Sequence, residues 1–324
     1  MNQRRRFLTA CTAGVAAAAA APSLWAQSAP YPNRPIRIVV GYVAGGTNDI
    51  LARIVAAELS QRLGQAVVVE NRPGASAIIG AQAVVRAAPD GYTLMLGGTG
   101  PMAFNPALYA QLPYSPLKDF APISMIGKFP LVLVGSPAAP SKLGELVAFS
   151  KANPDQLNYG SSSAAFRLPI EWLKMQTGAK MTHVGYKGTS EVLQGVMSGE
   201  VAAALVDPGP SSPLIKAGRL NALAVSSSAR MPEFPAVPTL REAGVDMSVE
   251  LWSALLAPAG TPRAIVARLN QELRQVLQTP TVQERMRKLT MSTHASTPEE
   301  LAATIASDIE LWSGVAAQNN IKAE

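Results

Sequence analysis

The apolar run at residues 36–43 is rich in β-branched side chains and predicts a buried parallel strand. A glycine pair, Gly45 and Gly46, interrupts the run, and apolar residues then recur at the spacing of an amphipathic helix. Asn48 and Asp49 favour the first turn of that helix, because their side chains accept hydrogen bonds from its free backbone N–H groups. These N–H groups and the positive end of the helix dipole suit an anion such as a carboxylate. We therefore interpret this loop as a candidate ligand loop.

The same alternation of predicted strands and helices continues to residue 100. Further strands are predicted at residues 66–70 and 92–96, with a helix at 78–88 between them. A β-α-β-α-β series predicts a parallel sheet with right-handed crossovers. The third strand runs into another glycine loop at residues 97–100. The ligand-side loops should then emerge at one edge of the sheet, where their backbone donors would converge.

A second α/β series follows two strands at residues 120–126 and 131–134, which are separated by residues 127–130. Helices are predicted at 141–152 with Ser141 as the N-cap, and then at 165–177, 190–197, 262–278 and 298–317. Further strands are predicted at 157–160, 181–185, 203–206, 220–225 and 249–257. The last helix has a start like a capping box, with Ser296 and Thr297 before it and Glu299 and Glu300 in its first turn. The chain would cross between the two series near residues 126–132 and 248–256, which predicts a ligand cleft between two hinged domains.

Residues 1–27 have the pattern of an export signal: three arginines, an apolar stretch, and a small residue before the expected cleavage point. The order of Arg4, Arg5 and the following residues also fits the twin-arginine pattern. Cys11, the one cysteine, precedes the apolar stretch, so we do not interpret it as a lipoprotein signal. Removing the signal lowers the formal charge from +6 to +3, because three arginines leave with it. This scattered charge does not indicate nucleic-acid binding, and it slightly favours an anionic ligand.

Motifs for metal or nucleotide chemistry are missing from the sequence, so we expect no metal and no cofactor. The two histidines are His183, in a predicted strand and interpreted as structural, and His294, in a loop. Gly160 to Ser163 comes near the nucleophile elbow of serine hydrolases, but alanine replaces the second glycine of that motif. A hydrolase that uses these serines with His294 is the alternative from another functional class.

Loops rich in glycine and hydroxyl residues precede several predicted helices, and such loops bind small anions without covalent chemistry. Arg167 could add a bidentate contact to a carboxylate, or it could be an exposed helix arginine. Lys187 has the same two interpretations, and Asp207 could contact a ligand ammonium or cap the following helix. The candidate ligand residues are Tyr42, Ala44, Gly45, Gly46, Asn48, Asp49, Ser76, Ala77, Gly98, Thr99, Ser161, Ser162, Ser163, Arg167, Lys187, Gly188, Thr189 and Asp207.

Several motifs in fixed order carry a resemblance: YPNRPIR at residues 31–37, AGGTND at 44–49, VENRPGA at 69–75, APDGYTL at 88–94, LNYGS at 157–161, YKG at 186–188, PAVPTLREAG at 235–244 and LLAPAGTP at 255–262. Through them the chain resembles the Bug-type periplasmic substrate-binding receptors of tripartite tricarboxylate transporters. The resemblance implies an α/β Venus-flytrap fold of two domains, type II-like, which closes on a small carboxylate in the cleft between them. Aspartate 49 is expected to order its loop first and to contact the ligand second.

The departures from the family pattern lie on the ligand side. Gly41 and Tyr42 stand where the family usually has Pro-Phe, and Ala44 stands where it has proline. Arg167 stands where the family tends to have histidine, and Ala202 replaces the usual aspartate. We expect the permanent cation at Arg167 to favour an extra negative charge on the ligand.

The sequence therefore predicts an exported periplasmic binding protein that is monomeric, is not an enzyme, and works with membrane transporter subunits. The expected domains are residues 28–127 with 251–324, and residues 128–250. A sensor that reports its ligand to a signalling receptor is a further alternative. The sequence alone does not name the carboxylate.

Overall fold

The computed structural model describes residues 31–154 and 156–323 of the chain. The predicted export signal and its twin-arginine pattern lie outside these residues. The described residues from Arg34 onward form one compact unit. The strands of this unit are β1 Ile36–Val40, β2 Val67–Asn71, β3 Thr93–Gly98, β4 Phe120–Pro130, β5 Val132–Gly135, β6 Asn158–Ser161, β7 Thr182–Gly185, β8 Ala203–Val206, β9 Asn221–Val225, β10 Glu250–Pro258 and β11 Ser292–Thr293.

Helices connect most of these strands. They are α1 Thr47–Leu63, α2 Ile78–Val85, α3 Asn105–Leu108, α4 Leu143–Ala152, α5 Ala164–Thr177, α6 Thr189–Ser198, α7 Pro208–Lys216, α8 Arg263–Leu277, α9 Pro280–Lys288 and α10 Pro298–Gln318. A π-helical turn, Gly100–Phe104, leads directly into α3. In the described part of the chain, no helix combines the length and the apolar character needed to cross a membrane.

The first sheet has the strand order β11-β4-β10-β3-β1-β2. Strand β1 pairs in parallel with both β2 and β3, which confirms the predicted parallel β-α-β-α-β series. Strand β10 returns late in the chain and lies antiparallel between β3 and β4. The side chains of β1 are almost fully buried, as expected for a strand covered on both faces.

The second sheet has the order β7-β6-β8-β5-β9. Strand β6 is parallel to β7 and β8, whereas β5 is antiparallel to β8 and β9. The predicted second α/β series is thus present, and the chain folds into two lobes around two sheets. The carboxyl ends of β1 and β6 both lead into residues that face the space between the lobes.

Two segments carry the chain between the sheets, and one buried serine joins them. Strand β4 passes to β5 at Leu131, and the return path reaches β10 after Val249. The Ser226 Oγ accepts a hydrogen bond from the Leu131 N–H at 2.7 Å and donates one to the Val249 carbonyl. The backbone of Ser226 also bonds both residues, to the Leu131 carbonyl at 2.9 Å and from the Val249 N–H at 2.8 Å. Ser226 therefore fixes the two crossing segments side by side.

Some predicted boundaries are wrong, and tertiary contacts explain them. Residues 127–130 do not separate two strands, because they continue β4 by pairing with β10. Gly97 and Gly98 belong to β3 rather than to a loop. The neighbouring strand passes so close that a Cβ at Gly98 would lie 2.4 Å from the Trp252 carbonyl oxygen. Helix α4 begins after Lys142, so Ser141 is not its N-cap.

Other features follow the sequence closely, and a few short elements escaped prediction. Helix α10 begins with the predicted capping box, in which Thr297 and Glu300 bond each other's backbone N–H groups. The π-helical turn, α3, α9 and β11 were not predicted. They are short, and their positions depend on the sheet and helices they pack against.

The hydrogen bonds of Ser226 give a stability prediction. The Ser226→Ala variant leaves the buried Leu131 N–H without the acceptor it has in the native protein, which should lower the free energy of unfolding by about 1–3 kcal/mol. Ser307→Ala is the matched control, because Ser307 is exposed and bonds only within its own helix. Urea denaturation of both variants measures the effect. Equal stability of Ser226→Ala and the native protein would contradict this role.

Candidate functional site

A cavity of about 490 Å³ lies between the two lobes. This volume is in the range of sites for small molecules. Residues from both lobes and from the carboxyl-terminal segment line it: Tyr42, Ser76, Gly100, Phe104, Asn105, Leu108, Tyr109, Ser161, Ser162, Ser163, Ala164, Ala165, Arg167, His183, Gly185, Tyr186, Ile321, Lys322 and Ala323. We refer to this space as the cavity.

The wall from the first lobe is formed around Ser76. The backbone at Ala75, Ser76 and Ala77 adopts the left-handed conformation, with φ angles of 46°, 52° and 70°. Three successive non-glycine residues in this region are strained, and such strain clusters at functional sites. Asn105 Nδ2 donates to the Ser76 carbonyl at 2.9 Å, and the Tyr109 hydroxyl donates to Ser76 Oγ at 3.3 Å. These bonds hold the strained turn against the cavity.

Asp49 orders the loop that precedes α1. Its carboxylate accepts hydrogen bonds from the Gly45 N–H at 2.9 Å, from Arg53 and from Asn71 Nδ2. Asn71 also donates to the carbonyl of Tyr42, the residue of this loop that lines the cavity. The Arg53 hydrogen bond, with help from Gly45 and Asn71, lowers the pKa of Asp49 to about 2. The carboxylate of Asp49 is therefore committed to the loop.

Two glycines explain how the first loop approaches α2. A Cβ at Gly41 would lie 2.4 Å from the Cβ of Ala77, and a Cβ at Gly80 would lie 2.9 Å from the Cα of Gly41. The end of β1 thus contacts the start of α2 backbone to backbone. Tyr42 follows at once, and burial raises the pKa of its phenol to about 12. The Tyr42 hydroxyl is therefore neutral near pH 7 and acts as a hydrogen-bonding group.

The wall from the second lobe is the end of β6 and the first turn of α5. Ser163 is the N-cap residue of α5, in extended conformation, and its hydroxyl makes no capping bond. Ser162, Ala164 and Ala165 also line the cavity. The amino-terminal turn of a 14-residue helix, with unpaired N–H groups and a positive dipole end, therefore borders the cavity.

His183 on β7 belongs to the cavity wall as well. Its Nε2 lies 2.7 Å from the Ser161 Oγ, and its ring packs beside that of Tyr159. The interpretation of His183 as a hydrogen-bonded strand residue agrees with this geometry, but the sequence did not place it at the ligand space. His294 lies elsewhere, at the end of β11, where its N–H bonds the Ile126 carbonyl. The serines and His294 are thus not part of one site.

The charges around the cavity have one sign. Arg167 and Lys322 are its charged residues, and none of the described lining residues is an aspartate or a glutamate. Within the described part of the chain, Arg167 forms no ion pair and its buried Nε has no hydrogen-bond partner, while its guanidinium interacts with the Tyr159 hydroxyl. Among the same residues, no group of three or more His, Cys, Asp or Glu side chains could hold a metal. The arrangement suits a small anion held by cations, hydroxyls and helix N–H groups.

Six predicted ligand residues line the cavity: Tyr42, Ser76, Ser161, Ser162, Ser163 and Arg167. The other predicted residues lie outside the lining: Ala44, Gly45, Gly46, Asn48, Asp49, Ala77, Gly98, Thr99, Lys187, Gly188, Thr189 and Asp207. Thr99 is buried, and its hydroxyl accepts the Trp252 N–H at 2.8 Å. Asn48 accepts a hydrogen bond from Ser253 at 3.1 Å. Both side chains therefore connect the first loops to β10.

Lys187 and Asp207 occupy flanking positions in the second lobe. Lys187 is exposed, and its backbone N–H donates to Glu191 at 3.1 Å. Asp207 precedes α7 without a side-chain capping bond, and burial raises its pKa to about 6.

Sequence reasoning missed three groups of lining residues. The π-helical turn and α3 contribute Phe104, Asn105 and Leu108, and the carboxyl-terminal segment contributes Ile321 to Ala323. The Ala323 N–H donates to the Leu108 carbonyl at 3.1 Å, which fixes that segment beside α3. Tyr186 stood in the YKG motif, but only the next two residues of that motif, Lys187 and Gly188, were chosen as candidates. The other two groups carry no local ligand pattern.

Comparison with known proteins gives a consistent result. Residues 51–321 match the family model described as tripartite tricarboxylate transporter family receptor. Protein BugT of Bordetella pertussis is 36% identical over 316 residues, which cover 96% of this chain and 95% of BugT. A solved R. palustris protein with adipate is 32% identical, with a TM-score of 0.77 over 90% of this chain and 99% of that one. MatC from Rhodopseudomonas palustris with bound malate is 32% identical, with a TM-score of 0.73 over 88% of this chain and 99% of MatC.

The role of Asp49 predicts a pH dependence. Its folded pKa of about 2 lies below the ordinary 3.8, so the carboxylate stabilises the native state above that ordinary value and loses this effect as the pH falls toward 2. Asp49→Asn should therefore be less stable than the native protein at neutral pH, by about 1–3 kcal/mol. The difference should shrink below about pH 4.

Urea denaturation at several pH values measures this difference. Asp246→Asn is the control, since the Asp246 side chain is 90% exposed and should contribute less than about 0.5 kcal/mol. A stability difference for Asp49→Asn that does not change with pH would contradict the assignment.

Proposed function

The chain belongs to the tripartite tricarboxylate transporter receptor family, and we propose that it captures a small dicarboxylate in the cavity between its lobes. Members of this family are substrate-binding receptors rather than enzymes. The serine hydrolase interpretation is therefore set aside. Export to the periplasm is expected for this family, and we propose that the predicted signal at residues 1–27 directs it.

Arg167, near the start of α5 and without an ion-pair partner among the described residues, is the observation that carries the proposal. A guanidinium offers paired donors in the geometry that a carboxylate accepts. The hydroxyls of Ser162 and Ser163 and the free N–H groups of the helix start lie along the same wall. The described lining holds no acid, so no carboxylate side chain faces an anion in the cavity.

A second anionic group is favoured by the second cation, Lys322, at the carboxyl-terminal side of the cavity. Adipate and malate, found with relatives of this chain, are dicarboxylates of suitable size. In our proposal the first lobe contributes Tyr42, Ser76 and the loop ordered by Asp49. The second lobe contributes residues 161–163 and Arg167.

Closure of the two lobes would bring further groups to the ligand, including the flanking loop at residues 187–189. Contacts that form only in the closed state shift the equilibrium toward it. We propose two domains that meet near the crossings, with residues 28–127 and 251–324 in one domain and residues 128–250 in the other. The closed monomer would then deliver its ligand to the transporter's membrane subunits.

Isothermal titration calorimetry of the purified native protein tests the proposal. Adipate and malate should each be tried, together with the neutral diamide of adipate as a matched control for charge. We expect one dicarboxylate to bind per chain and the diamide to bind at least about tenfold more weakly, because it lacks the charged hydrogen bonds. Failure of both dicarboxylates to bind, or equal binding of the diamide, would contradict the proposal.

Arg167 gives a more specific prediction. The Arg167→Ala variant should lose about 1.5–3 kcal/mol of binding free energy, or roughly ten- to a hundredfold in affinity, for a dicarboxylate that the native protein binds. Arg241→Ala is the control, since Arg241 is exposed and pairs with Asp246. Calorimetric dissociation constants of the two variants are compared. An affinity for Arg167→Ala within about twofold of the native value would show that Arg167 does not hold the ligand.

A further inference from the structure

Three charged residues follow one another along a single face of α5. Arg167, Glu171 and Lys174 are spaced by four and three residues, so their side chains are neighbours on the helix surface. Arg167 lines the cavity, while Glu171 is buried one turn further along the helix. An acid four residues from an arginine lies within reach of it on the helix surface.

The carboxylate of Glu171 is instead bonded to two other side chains. The Tyr159 hydroxyl donates a hydrogen bond to Oε1 of Glu171, and Lys174 Nζ lies 2.8 Å from Oε2. The same ammonium group lies 5.3 Å from the centre of the Tyr159 ring, which is itself fully buried. Both carboxylate oxygens of Glu171 therefore have partners other than Arg167.

The charges of Glu171 and Lys174 cancel, whereas that of Arg167 does not. The Glu171 carboxylate and the Lys174 ammonium compensate each other beneath the cavity, in surroundings where water screens charges poorly. Arg167 contacts the same Tyr159 hydroxyl and has no carboxylate partner among the described residues, so no acid compensates its positive charge. Without Lys174, the Glu171 carboxylate would lose its ion-pair partner. The Arg167 guanidinium, one turn away on the same helix face, would then be the cation available to it.

We propose that Lys174 is a positioning residue for ligand affinity: by pairing with Glu171, it keeps Arg167 free to bind an anion in the cavity. The predicted change in ligand affinity rests on the proposed function, whereas the predicted pairing of Arg167 does not. Lys174 does not line the cavity, so its effect would pass through Glu171 and Arg167.

Three variants separate this role from a general effect on folding. Lys174→Met removes the ammonium and keeps the apolar stem, so Glu171 should capture Arg167. Lys174→Met with Glu171→Gln removes both charges, which should free Arg167 again and restore the native net charge. Lys174→Arg retains a cation beside Glu171 and should behave like the native protein.

The first measurement needs no ligand. A crystal structure of the unliganded Lys174→Met variant should show the Arg167 guanidinium within 4.0 Å of a Glu171 carboxylate oxygen, the distance of an ion pair. The double variant should show Arg167 without that contact. An Arg167 that stays apart from Glu171 in Lys174→Met would overturn the inference.

The second measurement is calorimetric titration with adipate and malate. Lys174→Met should bind about tenfold more weakly than the native protein, and the double variant and Lys174→Arg should recover to within about threefold. Lys142→Met is the control, because Lys142 forms an exposed pair with Glu145 at the same three-residue spacing, and it should not change affinity. Unchanged affinity in Lys174→Met, or no recovery in the double variant, would also overturn the inference.

The outcomes for the two proposals are distinguishable. If the native protein binds neither dicarboxylate, the proposed ligand class is wrong, and the crystal structures still decide whether Lys174 controls the pairing of Arg167. If the native protein binds and Lys174→Met binds equally well, the ligand class stands and the inference about Lys174 fails.

Discussion

The hydrogen bonds around Ser226 are the constraint on which the rest of the structure depends. They hold the two crossing segments, at Leu131 and Val249, side by side in the interior. Because the second sheet is entered and left at the same place, its strands and those of the first sheet face a common space. Helix α10 adds a further connection, since the Trp312 ring packs edge-on against both Phe104 near the first sheet and Trp172 on α5. The hydrogen bonds at the crossings and this aromatic cluster are thus two separate connections between the lobes.

Within this frame, the polar residues divide into those that are committed to the fold and those that are available to a ligand. Asp49, Thr99 and Asn48 are engaged with backbone groups or side chains of the first lobe. In the described structure the Ser163 hydroxyl makes no capping bond, and Arg167 contacts the Tyr159 hydroxyl but forms no ion pair; both residues line the cavity. The same distinction explains why Glu171, an acid close to the cavity, does not cancel its positive charge. The ligand side of the cavity is therefore identified by side chains that are not already committed to the fold, more than by residue type.

The sequence predicted the fold well wherever local pattern and tertiary structure agree. The β-branched run of β1, the glycine loop and the start of α1 were found because each step has its own local signal. Residues 127–130 were misread because pairing with β10, more than 100 residues later, decides their conformation. The site was predicted in part for the same reason. Residues 161–163 and Arg167 follow a helix-start pattern, whereas residues 321–323 reach the cavity only through the packing of α10. Gly98 and Thr99 resembled a ligand loop, but close contact with β10 explains both residues.

The most direct test of the account is a crystal structure of the native protein with adipate or malate. We expect the ligand inside the cavity, with one carboxylate bonded to Arg167 and to the serines at the start of α5. We also expect the second lobe to lie closer to Tyr42 and Ser76 than it does without ligand. A ligand bound outside the cavity, or a carboxylate inside it that makes no contact with Arg167 or residues 161–163, would contradict the central claim.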